Sequence, residues 1–119
     1  MDLIIGGAYQ GKLDYAKEKY DLKDSDIFTC TADSDIDTSK RCIYAYQEYL
    51  LYCYRNGLEP VTDLPKDAIV IMNDIFCGVV PVDKETRGWR EFCGRTGSAL
   101  TKKADHVTRI FCGLPQELK

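Results

Sequence analysis

Leu3-Ile4-Ile5-Gly6-Gly7-Ala8-Tyr9-Gln10-Gly11-Lys12-Leu13 reads as a buried strand that runs into a glycine loop and then a helix. The apolar, partly β-branched run Leu3 to Ile5 stops abruptly at Gly6-Gly7, as a strand entering a turn does. From Lys12 to Tyr20, Leu13, Ala16 and Tyr20 recur among charged residues at the spacing of one amphipathic helix face. Between strand and helix, Gly6, Gly7, Ala8, Tyr9, Gln10, Gly11 and Lys12 fit G-x-x-x-x-G-K, the phosphate-binding loop. Glycines there let successive N–H groups turn inward on phosphate oxygens. Lys12 adds a full positive charge, and the helix N-terminus adds free donors and the positive end of its dipole. The competing reading is a glycine turn that merely joins strand to helix.

The residue after the lysine is Leu13, where the working pattern has Ser or Thr to place a hydroxyl on Mg²⁺. A leucine cannot ligate a metal, and Asp14 lies about 100° further round the helix. Phosphate binding with impaired phosphoryl transfer is therefore expected.

The remaining chain continues the alternation of strand and helix. Ile27 to Thr31 is a second strand candidate, closed by the polar stretch Ala32 to Ser39, whose Asp and Ser residues bond their own backbone in turns. Thr38 or Ser39 then caps a helix expected to reach Asn56: Ile43, Tyr46, Gln47, Leu50 and Tyr54 recur at helical spacing, and Asn56-Gly57 is a C-terminal stop. Tyr44, Tyr46, Tyr49, Tyr52 and Tyr54 crowd this segment. They are either stacking platforms for rings or packing residues, with Tyr46 and Leu50 inward and the others half-buried. Leu58 to Lys66, with Pro60 and Pro65, is a connector. Ala68-Ile69-Val70-Ile71-Met72 is the strongest strand signal, and its unbroken apolar character predicts a central strand covered on both faces, ending at Asn73-Asp74.

Gly78 to Pro81 turns into a helix over about Lys84 to Lys103, striped by Trp89, Phe92, Cys93, Thr96, Ala99 and Leu100. Gly88, Gly94 and Gly97 inside it predict close packing or a bend. His106 to Cys112 reads as a last strand, closed by Gly113 and Pro115. The whole pattern predicts an α/β fold over residues 1–119, one domain with a mainly parallel sheet of about four or more strands.

Composition narrows the function classes. With 45% hydrophobic and 29% charged residues, the chain has an ordinary globular balance, and a net charge of -3 argues against a broad attraction to nucleic acid. No apolar run approaches the roughly 20 residues of a membrane helix, and no signal segment is read, so a cytoplasmic protein is expected. The six cysteines are scattered without a CxxC pair and the chain has one His, which predicts reduced, mostly buried thiols and no metal cluster. A short sheet beside a tyrosine-rich helix leaves apolar area to cover, which suits a homo-oligomer.

Two segments together resemble the bifunctional adenosylcobinamide kinase and adenosylcobinamide-phosphate guanylyltransferase family of cobalamin assembly. Leu3 to Lys12 is similar to that family's opening strand and GGARSGKS. Ile71-Met72-Asn73-Asp74-Ile75-Phe76-Cys77-Gly78-Val79-Val80-Pro81 is similar to its VTNEVGxGIVP, continuing through Arg87, Trp89, Arg90, Glu91, Gly94, Arg95 and Leu100, and Ala104-Asp105-His106-Val107 resembles the start of its final strand. The resemblance implies a RecA-like P-loop fold of three layers, ATP or GTP as the nucleotide held at Gly6 to Leu13, and a corrinoid alcohol as acceptor. It also implies Lys12 and Asp74 as catalytic residues, while Leu13, lacking the hydroxyl ligand, leaves at most a weak contribution from Mg²⁺. Leu13 replaces the family's Ser, Asp74 its Glu, Phe76 a Gly and Gly97 an Asn.

The middle of the family, which holds the histidine that carries the guanylyl group, has no counterpart here. The single histidine, His106, falls at the last strand, so guanylyl transfer by that route is expected to be lost. Asp33, Asp35 and Asp37 are either polar turn residues or water-mediated Mg²⁺ carboxylates. Arg87, Arg90 and Arg95 either reach phosphates or form a solvated helix face. The rival to a kinase-like protein is a non-catalytic assembly or regulatory module that kept the fold and lost the chemistry.

Overall fold

A computed structural model describes the chain from Met1 to Lys119. Its elements, in chain order, are β1 (Asp2–Gly6), α1 (Lys12–Tyr20), a 3-10 turn at Asp24–Asp26, β2 (Ile27–Thr29), β3 (Cys42–Tyr44), α2 (Tyr46–Asn56), β4 (Ile69–Asn73), α3 (Lys84–Lys103), β5 (His106–Phe111) and β6 (Leu114–Glu117). The strands form one sheet in the order β2-β3-β4-β1-β5-β6, parallel except for β6. The expected α/β class and mainly parallel sheet are what the chain adopts, with six strands.

The connection from β1 through α1 to β2 runs toward one edge, whereas β3 through α2 to β4 and β4 through α3 to β5 run toward the other. Right-handed crossovers therefore place α1 on one face and α2 with α3 on the opposite face. The core divides accordingly. Leu3, Ile43, Val70, Met72 and Val107 pack under α2 and α3 with Tyr46, Leu50, Cys53, Cys93 and Leu100. Ile4, Cys42, Ile69, Ile71 and Ile110 pack under α1 with Ala16. Successive strand residues alternate between the two clusters, which is why the apolar run at β4 is unbroken.

The helix expected from Thr38 or Ser39 begins only at Tyr46, because Cys42–Tyr44 is the strand β3. Cys42 and Ile43 pair with Ile69 and Val70, and both are fully buried. Ile43 thus reaches the core from the sheet, and the helical spacing it shares with Tyr46 and Leu50 is coincidental. Ala45, at φ 60, makes the break between strand and helix. On α2, Tyr46 and Leu50 point inward as expected, and Tyr49 is buried with them. The Tyr46 hydroxyl donates to the Val61 carbonyl and the Tyr49 hydroxyl accepts from the Val61 N–H, tying the proline connector down.

Close packing explains one of the helix glycines: a Cβ on Gly88 would lie 1.9 Å from the Tyr54 hydroxyl, where α2 crosses α3. Gly94 and Gly97 lie against Phe76 with more room. At the C-terminal end, Gly113 and Pro115 do not close the last strand. Cys112 (φ 50) and Gly113 (φ 79) form a two-residue turn into β6, which pairs antiparallel with β5. Pro115 is tolerated because β6 is the sheet edge, where a missing N–H costs no ladder bond.

Candidate functional site: the glycine loop beside Asp74

In an open parallel sheet, ligands bind beyond the C-terminal ends of the strands where the connections diverge. Here that point is β1, with β4 and β5 on either side. The loop Gly7–Gly11 leaves β1 at this end and enters α1. The N–H groups from Gly7 to Leu13 have no acceptor within the chain. Gly11 takes φ 90 at the N-cap of α1, a conformation that other residues rarely adopt. Tyr9, at φ 60, carries its ring fully into solvent at the apex.

Lys12 is the first residue of α1, and its side chain turns back under the loop. It is 5% exposed, and its ammonium donates to the Gly7 carbonyl. Burial lowers its pKa from the ordinary lysine range, and the nearby Asp74 charge pulls it part of the way back. Asp74 follows β4 at the same height: its N–H donates to the Gly6 carbonyl at 3.0 Å, and its Oδ1 lies 3.9 Å from where a Gly7 Cβ would sit. A side chain at position 7 would therefore fill the space that loop and carboxylate share. Gly6 is required for a different reason. A Cβ there would meet the Ile110 carbonyl oxygen of β5 at 2.5 Å.

A cleft of about 430 Å³ lies over the loop, lined from Ala8 to Asp14 and by Tyr44 and Asn73. All the expected loop residues, Lys12 and Asp74 are thus brought together at one end of the sheet. Leu13 lines this cleft and also packs against the core cluster beneath α1. No hydroxyl stands there, so the residues present do not supply the metal ligand of the working pattern.

Two supporting residues carry no site signal in the sequence, and a third, Gln10, belongs to the loop motif but has a role there that its spacing does not show. Tyr44 reaches the cleft from the end of β3, a segment whose spacing predicts a helix. Buried Gln47 accepts from the Asn73 N–H through Oε1, while its carbonyl accepts from Trp89 Nε1, so it fixes the segment leading to Asp74. Gln10 straps the loop to the β5–β6 turn: its Oε1 accepts from the Cys112 N–H at 2.6 Å and its carbonyl from the Gly113 N–H at 2.8 Å. These contacts join residues distant in sequence, and no local pattern announces them.

Other candidates lie elsewhere. His106 is exposed and pairs with Asp2 at the opposite end of β1, roughly 13 Å along the strand from Gly6. Asp35 and Asp37 accept from the N–H groups of Ile36 and Ser39, the local turn role. Arg90 donates to the carbonyls of Phe76, Gly78 and Val79, and Arg87 to that of Val82, so both hold their own loop.

Comparison with known families matches residues 43–118, well over half of the chain, to cobinamide kinase / cobinamide phosphate guanyltransferase. The chain belongs to this family. A search of curated proteins finds no match. The family's two activities use nucleoside triphosphates and cobinamide-type acceptors, and its matched region here runs from β3 to β6, including Asp74. The glycine loop precedes the match, so its reading stands on the geometry above. No helix of the chain is long and apolar enough to cross a membrane.

Proposed function

We propose that Gly7 to Lys12 bind the β and γ phosphates of ATP or GTP, in a family member whose phosphoryl transfer is impaired and whose guanylyl transfer is lost. The observation that carries this reading is the run of N–H groups from Gly7 to Leu13, free of internal acceptors and curled over a buried Lys12 ammonium. Phosphate oxygens at these donors gain charge-assisted hydrogen bonds in a partly desolvated cleft. Lys12 would exchange the Gly7 carbonyl for phosphate oxygens, and Asp74 would orient an acceptor hydroxyl from across the loop. Because Leu13 offers no ligand, metal should add little to binding. A corrinoid alcohol is the acceptor this reading favours.

The second reading, a non-catalytic module, is favoured by the inward packing of Leu13 and by the distance of His106 from the loop. Both readings place the protein in the cytoplasm as one domain. Exposed Phe111, Leu114 and Leu118 at the sheet edge suit self-association. Calorimetric titration with ATP and GTP, with and without Mg²⁺, tests the shared claim, and the absence of any binding would defeat it. Phosphorylated cobinamide formed above background by purified protein selects the kinase reading, whereas binding without product selects the module.

A further inference from the structure

A second cleft, of about 680 Å³, lies between the loop that follows β4 and the outer side of α3. It shares no lining residue with the cleft over the glycine loop. Lys84, Arg87, Arg90 and Arg95 line it, against a single carboxylate, Glu91. This excess is concentrated on a chain whose net charge is -3. The chain's ion pairs use Asp105, Asp24, Glu85 and Asp63, so none of the four cations is paired. Arg87 and Arg90 spend some of their N–H groups on loop carbonyls, which fixes their guanidinium groups without cancelling their charge. Four like charges around one concavity repel each other and focus a positive field into it, and a bound anion relieves that repulsion. The remaining wall is apolar and aromatic, from Tyr54, Phe76 and Val80. Such a volume suits a ligand of mononucleotide size.

We propose that this cleft is a second, independent anion site that takes a phosphorylated small organic molecule, with its phosphate on Lys84 and Arg87, one turn apart on α3, and its body running along the helix past Tyr54 and Phe76 toward Arg95. Arg90 acts here as a positioning residue that holds the loop forming one wall.

Calorimetry with adenosine 5′-monophosphate as probe tests this, using wild type, Lys12→Met and the double variant Lys84→Gln/Arg95→Gln. Both residues of the double variant are exposed, so its thermal melting should match wild type. The expected results are binding retained in Lys12→Met, weakened about tenfold or more in the double variant, and weakened again by added salt. Adenosine should not bind, and inorganic phosphate should bind more weakly than the monophosphate. Loss of binding in Lys12→Met, or equal binding in the double variant and wild type, would overturn the second site. Triphosphate binding to the glycine loop is measured separately, so either site can fail alone.

Discussion

Replacing Lys12 by Met separates the site from the fold. The lysine stem is buried, and Met occupies a similar volume without the charge, so the packing beneath the loop is kept. The ammonium is costly to bury and has one hydrogen bond, to the Gly7 carbonyl, with Asp74 as its nearby counter-charge. Removing a buried, thinly compensated charge is close to neutral, so stability should change by no more than about 1 kcal/mol. There is also a pH signature. Because the folded-state pKa of Lys12 is lowered, the unfolded chain binds more protons at this group between the folded and unfolded values, so Lys12 alone contributes a stability that rises with pH across that window, read as the difference between wild type and variant. The variant should lose this slope. In the bound state the same ammonium makes charge-assisted contacts to phosphate worth about 1.5–3 kcal/mol, so triphosphate affinity should fall about 10- to 150-fold. Denaturant melts and calorimetry on the same samples give both numbers. A variant that loses several kcal/mol of stability yet binds triphosphate normally would refute the reasoning, since it would make Lys12 a structural residue.

Leu13→Ser should cost about 1–2 kcal/mol, because a half-buried leucine is lost from beneath α1, and it should make triphosphate binding more dependent on Mg²⁺; unchanged metal dependence would undo the account of the missing hydroxyl. Gly88→Ala should displace the half-exposed Tyr54 ring from α3, so the gain of about 1 kcal/mol in helix propensity is offset in the native background and appears in full only with Tyr54→Ala, as a double-mutant cycle would show. Native alkylation should modify the exposed Cys77 and Cys112 while sparing the other four thiols. Burial pushes Cys30, Cys42 and Cys93 up to about 12 from 9.0, so the folded chain keeps protons that the unfolded chain releases. Stability should therefore fall as pH rises through that interval, and a flat profile there would contradict it.

The elements that could be read from the sequence are those whose signal is local. The strand, glycine loop and first helix are written contiguously, and β4 declares its two-sided burial through an unbroken apolar run. Strand β3 was hidden because three residues carry too little pattern and because Ile43 falls in step with the helix after it. Pairing with β2 and β4 decided its conformation, and the break at Ala45 has no glycine to mark it. Strand β6 was hidden because Pro115 reads as a terminator, although an edge strand accommodates it. The loop could be read from motif spacing, and Asp74 is singled out by the family resemblance at the end of β4. Tyr44, Gln10 and Gln47 act there through contacts that only the folded sheet creates, and the basic cleft beside α3 depends on how the loop after β4 folds back.

Backbone amide chemical shifts, followed as ATP is titrated into isotope-labelled protein, test the central claim most directly. Gly7 to Leu13 should show the largest perturbations, with Asn73 and Asp74 moving alongside them and His106 at the opposite end of the sheet unaffected. Perturbations that leave Gly7 to Leu13 unmoved while ATP binds would contradict the claim.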